Sequence, residues 1–201
     1  MSRNTWIHRI VRRPARMLAP TPVTPNHVTT LRLLTGLGAA GAYASGDPAW
    51  VFSGGLLFVL SMALDRVDGE LARFTGQMTD WGHRFDLICD AVVNAGILIG
   101  IGIGLRESDL GIWAISMGLL AGLAVAVILG LVVQMENREG HGKPAFEGAG
   151  GFDPDDAILA VPIAMWLGWN EPLLIAAAIG APAFAIYVYW RFRTLTKRDG
   201  S

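Results

Sequence analysis

From residue 28 to residue 189 the chain is a succession of apolar stretches that carry few charges. Hydrocarbon offers no hydrogen-bond partner, so a stretch that enters it must satisfy its own backbone N–H and C=O groups. Only helices and closed barrels do this. The stretches fall at 28–45, 49–64, 80–105, 110–135, 154–167 and 172–189, the fifth being the shortest. Six helices of about 20 residues would use about 120 residues, leaving a chain of 201 no room for a second large soluble domain. Composition agrees: 16% of residues are charged and 52% hydrophobic, where a soluble domain has about 25% charged. The predicted fold class is an all-α integral membrane protein with six transmembrane helices.

Ahead of the first stretch lies Trp6-Ile7-His8-Arg9-Ile10-Val11-Arg12-Arg13-Pro14-Ala15-Arg16-Met17-Leu18, basic but without the unbroken apolar core of a signal peptide. It reads as an amphipathic helix on the membrane surface, with Trp6, Ile10 and Met17 toward lipid and the arginines toward anionic head groups. The organisation expected is a surface helix over 1–20, a six-helix catalytic domain over 21–196 and a tail over 197–201. Asn26 is a candidate N-cap for the first span, and Gly46-Asp47-Pro48 a turn after it. The second span runs without a break into the charged segment 65–73, so its helix should project beyond the hydrocarbon.

Basic residues are unevenly placed. Arg3, Arg9, Arg12, Arg13 and Arg16 precede the first span. Arg66, Arg73 and Arg84 flank the second connection, Arg138 and Lys143 lie in a long loop over 136–153, and Arg191, Arg193, Lys197 and Arg198 close the chain. Arg106 stands alone on the other side, and Arg32 falls near the richer one. Both termini and the 65–84 connection are therefore expected to be cytoplasmic. Over the whole chain 16 Lys+Arg are offset by 17 Asp+Glu, which argues against a nucleic-acid partner. The single cysteine, Cys89, cannot form an intrachain disulfide and reads as a buried small residue.

The chemistry gathers between residues 65 and 90. Counting from Asp65, the residues Asp68, Gly69, Ala72 and Arg73 fall at +3, +4, +7 and +8, one stripe of a helix. Gly82, Asp86, Asp90 and Asn94 are spaced by four and share a face of the next helix. Two adjacent antiparallel helices would thus aim four carboxylates at one another. Like charges in a partly apolar setting repel, and a divalent cation resolves the conflict. Oxygen-only ligands favour Mg²⁺ or Mn²⁺, which often share their coordination with substrate phosphates. Two ions about 3.5–4 Å apart would suit four carboxylates and an in-line phosphoryl displacement. Gly69 and Gly82 would clear space between the helices, and Arg73 would neutralise phosphate.

Asp65-x2-Asp68-Gly69-x2-Ala72-Arg73-x8-Gly82-x3-Asp86-x3-Asp90 resembles the complete signature of the CDP-alcohol phosphotransferases, integral membrane enzymes of phospholipid synthesis. Pro25-Asn26-His27-Val28-Thr29 is similar to the opening of that family's first span. The resemblance implies transfer of a phosphatidyl group from a CDP-linked donor, CDP-diacylglycerol above all, to a small alcohol acceptor with release of CMP and no covalent enzyme intermediate. Transfer of a phospho-alcohol from a CDP-alcohol is the variant within the class. It further implies Asp65, Asp68 and Asp86 as metal ligands and Asp90 as both ligand and general base. Asp68, Gly69, Ala72, Arg73 and Gly82 would line the CDP site, with Asn26 and Thr29 completing it.

The acceptor is not legible. If it carries its own phosphate, Arg138, Lys143 and Arg191 are the cations available on the cytoplasmic side, though each is also an ordinary positive-inside residue. His141-Gly142-Lys143 opens like a phospholipase-D-type motif but has Gly148 where that motif needs Asp. Gly96-x3-Gly100-x3-Gly104 and Gly118-x3-Gly122 suggest close helix packing, within the chain or across a homodimer interface. A cation or proton transporter is the rival from another class, because intramembrane carboxylates also mark ion paths. Transport would favour acids near the midplane, repeated in two halves.

Overall fold

The computed structural model describes residues 6–139 and 158–198. Among them are seven helices and no strand: α1 Trp6–Leu18, α2 Pro25–Ser45, α3 Pro48–Thr75, α4 Asp80–Gly104, α5 Trp113–Glu139, α6 Ala160–Trp166 and α7 Asn170–Arg198. Four of these are long and apolar enough to cross a membrane, over Pro48–Thr75, Asp80–Gly104, Trp113–Met135 and Asn170–Thr194. With its 21 residues, α2 is about 30 Å long, but His27, Thr29, Thr30, Arg32 and Thr35 lower its hydropathy. The seven residues of α6 extend only about 10 Å, a third of a hydrocarbon core.

The punctuation is local chemistry. Thr24 is the N-cap of α2 and Pro25 its first residue, so Asn26 lies inside the helix and the expected cap moves two residues upstream. Proline explains the shift: its ring presets a helical φ and it has no N–H to leave unsatisfied. The backbone N–H of Thr24 donates to His27 Nδ1 at 3.3 Å. Gly46 closes α2 with φ 73°, a conformation that favours glycine. Asp47 Oδ1 then accepts from the Ala49 N–H at 2.8 Å to open α3, and Thr79 Oγ1 does the same for α4 from Gly82 at 3.0 Å. As expected, α3 runs unbroken through the charged segment to Thr75.

Helix ends differ from the hydropathy reading wherever a helix outlives its apolar stretch. α5 continues four residues past Met135, into what reads as loop, and α7 runs from Asn170 to Arg198 rather than over 172–189. The tail expected from 197 thus begins as helix. Hydropathy detects where lipid ends, not where backbone hydrogen bonding ends. The Asp153-Pro154 helix start, His141 and Lys143 lie outside the described residues.

The packing order also differs from expectation. α2 packs against both α3 and α4, and those two do not approach each other within helix-packing distance. α2 therefore lies between the helices that carry the acids. α5 packs on the far side of α4, α7 on α5, and α1 and α6 on α3. A methyl group at Gly100 would collide with the Ala40 carbonyl of α2, and one at Gly118 with the Leu98 carbonyl of α4. The glycine stripes thus serve close packing inside the chain. The core behind them is Ala39, Tyr43, Phe58, Val93, Ile97 and Ile101. Trp50, Trp113 and Trp169 are exposed near one end of the bundle, and Trp81 and Trp190 near the other, the placement of interfacial aromatic belts.

Arg12 reaches Glu70 Oε2 at 3.9 Å, and the Arg16 guanidinium lies 5.5 Å from the centre of the Phe74 ring. Together with buried Ala15, packed with Val67 and Leu71, they seat α1 on the last turns of α3. Met17 is exposed on α1.

Candidate active site

Asp65 and Asp68 lie in the C-terminal half of α3, and Asp86 and Asp90 in the N-terminal half of α4. Because α2 separates these helices, the acids converge across a cleft whose floor is α2. One carboxylate oxygen each of Asp65, Asp68 and Asp86 lies within 4.8 Å of the others. Three hard oxygen donors so placed fit a divalent cation that prefers oxygen, such as Mg²⁺ or Mn²⁺. Asp90 is outside this trio.

The floor is polar. Thr29 Oγ1 donates to Asp68 Oδ2 at 2.8 Å. One turn on, Arg32 Nη1 contacts Asp65 Oδ1 at 2.6 Å and Asp86 Oδ1 at 2.7 Å, while Nη2 donates to Asp90 Oδ1. Thr29, Arg32 and Asp68 are each less than 5% exposed. A guanidinium so deeply buried is tolerable only because it is paired on several sides. Its backbone is tied down too, since Ser61 Oγ of α3 donates to the Arg32 carbonyl at 3.0 Å. Gly36, one turn beyond, sits hard against Val93 and Ser61, which draws α3 and α4 onto α2.

The other motif positions fall around the rim. Gly69 has no atom within 4 Å of where a Cβ would stand, so it presents bare backbone to open space. A Cβ at Gly82 would lie 3.3 Å from Asn26 Oδ1 and 3.0 Å from Thr79 Oγ1. Gly82 therefore clears room against α2 rather than between α3 and α4. Arg73 is half exposed, and its Nη1 contacts Glu70 Oε1 at 2.9 Å. That pairing leaves its outer face accessible. Ala72 follows on the same helix, half-buried.

Arg32 is the residue that charge counting misplaced: it reads from sequence as one more positive-inside arginine and stands at the centre of the acids. The signal for it was present, because an arginine within a span calls for a buried partner. Of the three acceptor cations, only Arg191 has a described side chain. Arg191 is exposed on α7, Arg138 is in the last turn of α5 with its side chain outside the described residues, and Lys143 is outside them altogether.

A family model described as CDP-alcohol phosphatidyltransferase matches residues 22–191. Archaetidylinositol phosphate synthase of Pyrococcus horikoshii is 32% identical over 92 residues, 46% of this chain and 47% of that protein. The bifunctional IPC transferase and DIPP synthase of Aquifex aeolicus is 28% identical over 182 residues, 84% of this chain and 39% of that protein. The matches thus span less than half the length of either relative. Crystal structures of Mycobacterium tuberculosis phosphatidylinositol phosphate synthase share the fold. The form with manganese and citrate has a TM-score of 0.60 at 20% identity, covering 90% of this chain and 88% of that one. The form with CDP-DAG bound has a TM-score of 0.62 at 21% identity, covering 90% and 94%.

Proposed function

The chain belongs to the CDP-alcohol phosphatidyltransferase family, an all-α integral membrane protein with multiple spans, and on that premise we propose that it transfers a phosphatidyl group from CDP-diacylglycerol to a small alcohol acceptor, releasing CMP. The observation that carries the reading is the convergence of the signature acids of α3 and α4 over a polar floor in one cleft.

In this reading Asp65, Asp68, Asp86 and Asp90 would hold Mg²⁺ or Mn²⁺, as two ions, which when bound would offset the charge of the donor diphosphate and make the acceptor hydroxyl more acidic. Gly69, Ala72, Arg73 and Gly82 border the cleft where the CDP moiety would lie, with Asn26 and Thr29 beneath. Bare backbone at Gly69 lets a flat base or a diphosphate approach α3 closely, and Arg73 offers its accessible face to phosphate. The acceptor oxygen attacks the lipid-side phosphorus and its proton passes to Asp90. The bond from that phosphorus to the CMP oxygen breaks, and CMP leaves with the electron pair. Holding donor and acceptor in line on a rigid three-helix frame supplies much of the acceleration.

Six spans, with both termini and the cleft on the cytoplasmic side, complete the proposal. The acids lie toward one end of the bundle, and among the described residues no equivalent set occurs in α5 to α7, a distribution that suits a surface-accessible enzyme better than a midplane ion path. The test is CMP release by purified protein given CDP-diacylglycerol and a panel of alcohols and alcohol phosphates, with and without EDTA. Mg²⁺ or Mn²⁺ should restore the chelated enzyme, and Ca²⁺, with longer bonds and looser geometry, should do so poorly. Metal flux in proteoliposomes without CMP release would refute the assignment.

A further inference from the structure

Arg32 divides the four acids. Its Nη1 takes Asp65 and Asp86, two of the three carboxylates whose oxygens converge within 4.8 Å. Its Nη2 takes Asp90, the acid outside that trio. The third member, Asp68, is held by Thr29 and not by the guanidinium. The residue is 4% exposed and its carbonyl is fixed by Ser61, so it has little freedom to leave.

We propose that Arg32 is a resident counter-cation of this cleft, competing with the divalent ion for Asp65 and Asp86 while it positions Asp90. The inference rests on the reading of the trio as a divalent-cation site. Four carboxylates pressed together without a cation would splay or protonate. A guanidinium built into α2 holds Asp65, Asp86 and Asp90 together whether or not metal is present. The same positive charge opposes an incoming cation at the two carboxylates they share. Affinity for the ion is thereby moderated in exchange for a preorganised site. The planar fork reaches Asp65 and Asp86 from one nitrogen and Asp90 from the other, a spread that the single nitrogen of a lysine ammonium does not have.

The experiment is Mn²⁺ binding to full-length, detergent-purified, chelator-stripped protein, followed by the electron paramagnetic resonance of free Mn²⁺. R32Q, purified in Mn²⁺ to replace the lost charge and then stripped, should bind Mn²⁺ at least tenfold more tightly than wild type. Its turnover at saturating Mn²⁺ should nonetheless fall, because Asp90 is no longer oriented. R32K, which keeps the charge but not the fork, should bind with intermediate affinity, and it carries the test alone if R32Q does not fold. Affinity no tighter than wild type in the folded variants overturns the competition, and undiminished turnover overturns the positioning of Asp90. If wild type itself binds no Mn²⁺, the divalent-site reading fails and takes this inference with it.

Discussion

Thr29 Oγ1 donates to Asp68 Oδ2 at 2.8 Å, joining α2 to a carboxylate 39 residues later with both side chains buried. Among the described contacts this is the hydrogen bond that offsets the burial of Asp68, which has the carboxylates of Asp65 and Asp86 close beside it. Thr29→Val keeps the shape and removes the donor. It should destabilise the protein by about 1–3 kcal/mol, the cost of a buried acceptor left unsatisfied. A lower melting temperature in detergent together with weaker Mn²⁺ binding is the expected outcome, and a variant with wild-type values in both would show the bond to be idle.

Asp90→Asn preserves the side-chain shape and an oxygen that can still accept from Arg32, so the bundle should fold. What it removes is basicity toward the acceptor hydroxyl. CMP release should drop on the order of 100-fold or more, the usual loss when a general base is taken away. Purified Asp90→Asn enzyme turning over near the wild-type rate would exclude Asp90 as the base.

Two glycines should respond in opposite ways to the same added methyl. Gly69 faces open space, so Gly69→Ala should leave the melting temperature unchanged or raise it slightly, alanine being favoured over glycine in a helix by about 1 kcal/mol. If the CDP moiety lies there, the KM for the donor should nevertheless rise. Gly100 is pressed against the Ala40 carbonyl, so Gly100→Ala should cost about 1–3 kcal/mol through overpacking. Thermal unfolding and donor KM measured on both variants separate a ligand-facing glycine from a packing one; equal donor KM in wild type and Gly69→Ala would count against the cleft as the nucleotide site.

If the acceptor carries a phosphate, at least one of Arg138, Lys143 and Arg191 should grip it. Each changed to alanine singly, at least one variant should show a raised KM for the acceptor with the donor KM nearly unaltered, the pattern of lost acceptor binding. Unchanged acceptor kinetics in all three, or preference for an unphosphorylated alcohol, would remove this role while leaving the metal site intact.

What the sequence by itself determined is everything that depends on neighbours along one helix. Asp65 and Asp68 share a stripe, as do Gly82, Asp86 and Asp90, because backbone geometry places residues three and four apart on one face. The long apolar spans and the turn at Gly46-Asp47-Pro48 follow from the same short range. Only the tertiary structure decided that α2 lies between α3 and α4, that Gly82 faces Asn26 rather than α3, and that Arg32 serves the acids instead of the membrane surface. Those relations join residues tens of positions apart. The Gly96-x3-Gly100-x3-Gly104 stripe announces a close approach, but which helix it meets depends on paired helix surfaces, and no periodicity within a single segment encodes that partner.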